Sequence, residues 1–314
     1  MSRPCTRSWT IALWLIISTL ACELAPESHA PPPSGAASAR AEAPARPRYT
    51  VEVEADMPYG PTTDVPRRRL DLYRPRGPEL SPCLLWIHGG AWIGGDKRGA
   101  ARLAGALASG GVAVAAMNYR LSGRGGPRHP AHVEDAAAAF VTLRKNARRW
   151  RLDPARLSVG GHSAGAHMSA LLALDPRYLG AAGARVENIA GIVGLEGIYD
   201  VPALIERWPD YRSMFIEAAF GRRTEAWRGA SPVSWPARVG PAWWIGHSPS
   251  DELVDLRQSR RFVEHLERGR ATVSTNLRLE GRHFAVVESI GVARGAALTK
   301  ELRRFVEGAR ASSP

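Results

Sequence analysis

Cysteine and lysine are both scarce in this chain. Of its 314 residues three are Cys, and two of those, Cys5 and Cys22, fall in an N-terminal stretch set apart below. Cys83 is then alone in the folded part, so no internal disulfide can form there. It stands in the run Cys83-Leu84-Leu85-Trp86-Ile87 and reads as a buried strand residue, not a reactive thiol. No CxxC pair and no HExxH helix motif occurs, so neither a metal nor a cofactor is expected. Only three of the 42 basic residues are Lys, and with 30 acidic residues the formal net charge is +12. The arginines are scattered, and the tightest groups, Arg67-Arg68-Arg69 and Arg148-Arg149-Arg151, are short. A nucleic-acid binder gathers its charge into one stripe with interleaved aromatics, so no nucleic-acid partner is expected. Basic patches of this kind suit an anionic membrane surface at most.

The apolar run Ile11–Ala21, broken only by Ser18 and Thr19, is too short for the roughly 20 residues that cross a bilayer. With Arg3 and Arg7 ahead of it, it has the layout of an export signal over residues 1–21. Thr19-Leu20-Ala21-Cys22 resembles a bacterial lipobox with Cys22 as the lipidated residue, although Thr19 stands where the motif prefers Leu. Ser28-His29-Ala30 is a competing cleavage site, with Pro31 directly after it as an obstacle. Either way the expectation is an exported protein, periplasmic or at the cell surface, touching membrane only through a lipid at Cys22. Pro31–Arg48, rich in Pro, Ala and Ser without apolar periodicity, reads as part of a disordered tether over residues 22–48.

From Tyr49 the pattern stays uniform, which predicts one domain over residues 49–314. Tyr49–Ala55 and Leu70–Arg74 alternate as outer strands do. Cys83–Ile87, Val112–Met117, Leu157–Val159, Ile189–Leu195 and Ala242–Ile245 are short apolar runs, as strands buried on both faces require. Thr272–Leu279 alternates as a late, half-exposed strand. Helical patterns cover Arg98–Ser109, His132–Asn146, Ala164–Leu174, Gln258–Arg268 and Gly295–Gly308. Strands alternating with helices predict an α/β fold, a mostly parallel sheet with helices on both faces. Residues 200–241 break the rhythm and carry many aromatics, so they read as an insertion above the sheet.

Two segments carry the chemistry. Gly161-His162-Ser163-Ala164-Gly165 lies between a strand and a helix, and its glycines permit the tight turn that holds a serine hydroxyl at the carboxyl edge of a sheet. His88-Gly89-Gly90-Ala91-Trp92 begins 75 residues before Ser163, and its turn can aim backbone N–H groups at an oxyanion. The candidate donors are Gly90, Ala91 and Ala164. Trp92 either packs behind this turn or lines the pocket. Serine needs a base, and of nine histidines His283 follows the last strand in a loop from which a ring can swing over the sheet edge. His162, beside Ser163, is expected to point elsewhere; His88 braces its turn, and His247 reads as structural. Asp251, in the loop after Ala242–Ile245, is the favoured acid, with Glu196 at the end of the preceding strand as its competitor.

These residues resemble the α/β-hydrolase superfamily, in its esterase/lipase group with the HGG[GA]W turn. That group includes carboxylesterases like hormone-sensitive lipase and feruloyl esterase, and kynurenine formamidases. The likeness covers Arg68 to about Phe305 and extends to Gly95-Asp96-Lys97, Asn118-Tyr119-Arg120-Leu121, Asp153-Pro154, Gly197-Ile198-Tyr199-Asp200, Ser231-Pro232 and Asp251…Val254. It implies Ser163 as nucleophile, Asp251 as acid and His283 as base. The chain departs from the group at Glu196, where relatives often have Ser, and at Asp255, where a proline is usual. A carboxylate at 196 either alters the pocket's charge or serves as a reserve acid.

The expected activity is hydrolysis of small carboxylic esters through an acyl-enzyme. Two alternatives remain: an arylformamidase or amidase using the same machinery, and a surface binding protein that keeps the fold without turnover. Trp208, Tyr211, Phe215, Phe220, Trp227 and Trp235 form either a pocket for an aromatic acyl group or, the preferred reading, the insertion's own core.

Overall fold

The structure, a computed structural model, describes residues 48–311 apart from 62–64, 78 and 124. The expected export signal, Cys22 and the tether up to residue 47 lie outside the described residues.

Eight strands form one sheet: β1 (Val51–Pro58), β2 (Arg69–Pro75), β3 (Ser81–Ile87), β4 (Ala113–Met117), β5 (Leu152–His162), β6 (Gly191–Leu195), β7 (Ala242–Gly246) and β8 (Val273–Asn276). Their spatial order is β1-β2-β4-β3-β5-β6-β7-β8. β2 pairs antiparallel with both β1 and β4, and every other pairing is parallel. Each strand read from the sequence is present with shifted ends. β5 starts five residues before the apolar triplet Leu157–Val159, because its polar first half pairs with the start of β3 through an irregular register. β8 is shorter than Thr272–Leu279 and is half-exposed, as an edge strand should be.

The helices are α1 (Ala101–Ser109), α2 (Ala131–Asn146), α3 (Ala164–Leu174), α4 (Pro176–Ala182), α5 (Val201–Arg207), α6 (Glu217–Phe220), α7 (Thr224–Gly229), α8 (Arg257–Arg268), α9 (His283–Ser289) and α10 (Ala296–Gly308). β3 divides its side chains between two cores. Cys83, Leu85 and Ile87 join Phe140 of α2, Leu171 of α3 and Phe262 of α8. Leu84 and Trp86 join Leu103 of α1, Val286 of α9 and Leu302 of α10. Burial on both faces is why β3 reads as an unbroken apolar run. Truncating Leu85 to Ala would cost about 2–5 kcal/mol through the cavity left behind.

The pattern reading passed over α4, yet its signals are in the chain. Asp175 caps Arg177 N, Pro176 occupies the first turn, and Gly183 ends the helix at φ 88°. The insertion is helical, with α5, a π-helical turn at Arg212–Ile216, α6 and α7.

Register brings the strand ends level. Ile87 sits beside Gly161, while Leu195 sits beside both His162 and Gly246. The segments that follow β3, β5, β6 and β7 therefore leave one edge of the sheet together, the usual place for a site in a parallel sheet.

Candidate active site

Ser163 is the single residue between β5 and α3, at φ 55° and ψ −117°. A non-glycine residue there is strained, and the flanking glycines make it possible. A Cβ on Gly161 would lie 2.5 Å from the Ile87 carbonyl oxygen, and one on Gly165 would collide with the same atom. The backbone N–H of Ser163 donates to Leu195 O at 2.9 Å, which fixes the turn to β6. Its hydroxyl has no hydrogen-bond partner among the described residues. The amino end of α3 adds a favourable potential for negative charge beside it.

The glycine turn after β3 lies against this serine. A Cβ on Gly89 would meet Ser163 Cβ at 3.2 Å and His162 Nδ1 at 2.9 Å. Gly90, Ala91 and Trp92 all have positive φ, at 120°, 51° and 61°. The turn is closed by Ile93 N and Gly94 N, which donate to Gly90 O at 3.1 and 2.9 Å. The N–H groups of Gly90, Ala91 and Ala164 have no backbone acceptor among the described residues. Trp92 is fully buried, so of its two expected roles packing is the one observed. Its indole N–H donates to His167 Nδ1 at 3.3 Å, and His167 Nε2 in turn donates to Ala230 O at 2.7 Å in the insertion. From behind, Lys97 Nζ reaches Asp71 at 2.6 Å and Asp56 at 2.8 Å, and Lys97 N donates to Asn118 at 2.7 Å.

The residues expected as acid and base meet. His283 Nδ1 donates to Asp251 Oδ2 at 2.7 Å, while Glu196 Oε2 stands 3.9 Å from the same nitrogen. Asp251 is thus the carboxylate hydrogen-bonded to His283, and Glu196 is close behind it. Asp251 Oδ1 accepts from Leu253 N at 2.9 Å and Val254 N at 2.8 Å. Burial alone would raise its pKa, but hydrogen bonds from His247 and His283 outweigh this and hold it well below the carboxylate range. His283 is lowered by burial and by the neighbouring His162, against the pull of Asp251.

Two expectations are corrected. His283 is not in a loop: Gly281, at φ 116°, turns the chain after β8, and His283 is the first residue of α9. Seven residues with one apolar turn give too little periodicity for α9 to be read. His162 does not point away. Its ring lies 4.4 Å from that of His283, and its Nε2 donates to His283 O at 3.1 Å and to Glu196 Oε2 at 3.2 Å. Burial lowers its pKa to about 4.

Glu196 is fully buried at φ 50°, with Oε1 lacking a partner among the described residues. Burial raises its pKa to about 8 despite the opposing His283. His162 Nε2, Glu196 Oε2 and His283 Nδ1 lie within 4.8 Å of one another. Hydrogen bonds among them and to Asp251 account for that spacing, and we assign no metal to it. Sequence reasoning missed His247, whose Nε2 lies 3.2 Å from Asp251 Oδ2. Its position four residues before Asp251, at a strand end, was the available signal. Of the insertion's aromatics, Phe215, Phe220 and Trp227 are buried in the same core cluster as Leu85, Trp92 and Phe140, and Trp208, Tyr211 and Trp235 pack against it half-buried, so they join the main core and do not form one of the insertion's own.

The family model described as BD-FAE matches residues 70–266. Esterase LipC of Mycobacterium tuberculosis is 30% identical over 219 residues, which is 65% of this chain and 53% of that protein. Kynurenine formamidase of Meyerozyma guilliermondii is 32% identical over 229 residues, covering 67% of this chain and 81% of that protein. The chain spans about half the length of the mycobacterial relatives it matches. Among solved structures, esterase B of Lactobacillus rhamnosis superposes with a TM-score of 0.69 at 22% identity, over 81% of this chain and 85% of that one. This last likeness is one of fold.

Proposed function

Because the chain belongs to the BD-FAE family and carries the α/β-hydrolase fold of the esterase/lipase group, we propose that it is a serine hydrolase cleaving small carboxylic esters through an acyl-enzyme. One observation carries this reading: a strained serine at the end of β5 lies against a glycine turn whose N–H groups have no backbone acceptor among the described residues, beside a hydrogen-bonded His–Asp pair. A structural serine gains nothing from such a backbone.

Ser163 Oγ attacks the ester carbonyl as His283 accepts its proton. Negative charge on the carbonyl oxygen is taken up by the N–H groups of Gly90, Ala91 and Ala164, a term worth about 10²–10³ in turnover for each donor. Asp251 keeps the His283 proton on Nδ1, leaving Nε2 free as base, and stabilises the imidazolium. His283 returns the proton to the leaving alcohol, and water repeats the sequence on the acyl group. Ser163 and His283 need not be hydrogen-bonded beforehand, since such contacts often tighten only with substrate bound. Export, with a lipid on Cys22, belongs to the same proposal and rests on sequence alone; metabolic labelling with a fatty acid, lost in Cys22→Ser, tests it.

Hydrolysis of short p-nitrophenyl esters by purified protein, abolished in Ser163→Ala, is the test. A Ser163→Ala variant at the parent rate would end the proposal. Capture of a fluorophosphonate at Ser163 also separates an enzyme from a binding protein on this fold. A formamidase reading has its own support, because this chain spans 81% of the formamidase relative at 32% identity. Competing ester and formamide substrates decide between them.

A further inference from the structure

Glu196 combines three features that are each unfavourable: a fully buried carboxylate, left-handed backbone, and an oxygen without a partner among the described residues. A glutamine or an apolar residue at the end of β6 would avoid the burial of an ionisable group. Strain and unmet polarity gathered in one side chain point to use, not to packing.

Its surroundings say which use. Glu196 Oε2 is 3.9 Å from His283 Nδ1, on the side of the ring that Asp251 engages at 2.7 Å. It also accepts from His162 Nε2, which donates at the same time to the backbone carbonyl of His283. Glu196 therefore bears on the proposed base by two routes, directly at Nδ1 and through a ring tied to the main chain at the start of α9. The ionisable groups facing it are His162 at the end of β5, Asp251 and His247 from the segment after β7, and His283.

We propose that Glu196 is a positioning residue for His283, a second acid behind Asp251 that holds the ring through His162 and takes over at Nδ1 when Asp251 is absent. The inference rests on the serine-hydrolase reading. No bond is made or broken in this role; the Nδ1 proton stays on His283 and changes only its acceptor. When Glu196 ionises, its charge adds to that of Asp251 in stabilising the imidazolium. Burial sets that ionisation near pH 8, so a second rise in kcat should fall between about pH 7 and 9.

The test is a cycle of Glu196→Gln, Asp251→Asn and the double variant, with kcat and KM measured across pH 6–10. Asn keeps an oxygen for Leu253 N and Val254 N, so Asp251→Asn preserves its loop contacts. We expect Glu196→Gln alone to lower kcat less than threefold and to remove the rise near pH 8. In the Asp251→Asn background the same change should lower kcat at least tenfold further, with KM little altered. Equal factors in both backgrounds, or a kcat–pH profile that Glu196→Gln leaves unchanged, would overturn the proposal. Should Asp251→Asn fail to fold, the profile of Glu196→Gln alone decides. Failure of the enzyme reading is separate, because it appears as Ser163→Ala retaining activity in a protein with Glu196 intact.

Discussion

His247 Nε2 lies 3.2 Å from Asp251 Oδ2, on the same oxygen that His283 engages at 2.7 Å. The Val254 carbonyl, 2.9 Å from Nε2, can only accept, so Nε2 carries a proton and points it at both oxygens. Ser259 Oγ stands 2.7 Å from Nδ1 and holds the other side of the ring. His247 is a clamp that keeps Asp251 aimed at His283.

Replacing His247 with Leu should free the carboxylate to rotate and leave it short of a donor. The expected result is a fall in kcat/KM of roughly 10- to 100-fold, carried by kcat, since the clamp acts on orientation and not on binding. Ser259→Ala should produce a smaller loss in the same direction. Steady-state kinetics on a short ester checks both, and an unchanged kcat in His247→Leu would show that Asp251 is held by its loop amides alone.

Trp92→Phe tests the bridge from the glycine turn after β3 to the insertion. The ring volume is largely kept, but His167 Nδ1 loses its donor in a fully buried setting. An unsatisfied buried acceptor costs about 1–3 kcal/mol, so a lower midpoint in urea is expected. The same indole anchors two consecutive left-handed residues, Ala91 and Trp92, and kcat should fall as the donor N–H groups lose their aim. Stability lost without any loss of kcat would confine Trp92 to packing.

How much of this was legible follows from what each feature leaves in the sequence. The sheet was readable because β3, β4, β6 and β7 are buried on both faces and must be apolar throughout. Ser163 was readable because Gly161 and Gly165 have no room for a side chain, which writes the turn into the chain. The clustering of His162, His247 and Glu196 was not readable, since three strand ends meet only through register. α9 was hidden for a different reason: its start coincides with His283, and its length is too small to show a face.

Gly165→Ala should separate turn geometry from chemistry. The added methyl would run into the Ile87 carbonyl, backbone that cannot yield without shifting β3 or α3. Loss of soluble protein, or an unfolding free energy lowered by about 1–3 kcal/mol or more, is expected, whereas Gly180→Ala, with nothing within 4 Å, should be silent. Paired denaturation curves measure both.

Stability should peak at mildly acidic to neutral pH, because buried groups act in opposite directions on either side. Burial lowers His88 and His162 to about 4 and His167 to about 3, against 6.5 unfolded. The unfolded chain therefore binds more protons between pH 6.5 and 4, and stability is lost as pH falls through that window. A shift of this size is worth on the order of 3 kcal/mol for one histidine. Glu196 has the reverse sign: raised to about 8 from 4.5, it binds a proton in the folded state that the unfolded chain has released. Its burden grows as pH rises from 4.5 to 8, by about 2 kcal/mol over the last unit and a half. The expected profile in urea has its maximum near pH 6.5, steep on the acid side. Glu196→Gln should raise the profile increasingly from pH 4.5 to 8, most on the alkaline limb, and leave it unchanged below pH 4.5. A wild-type curve flat from pH 6.5 to 8.5 would mean that Glu196 is already ionised in the folded protein.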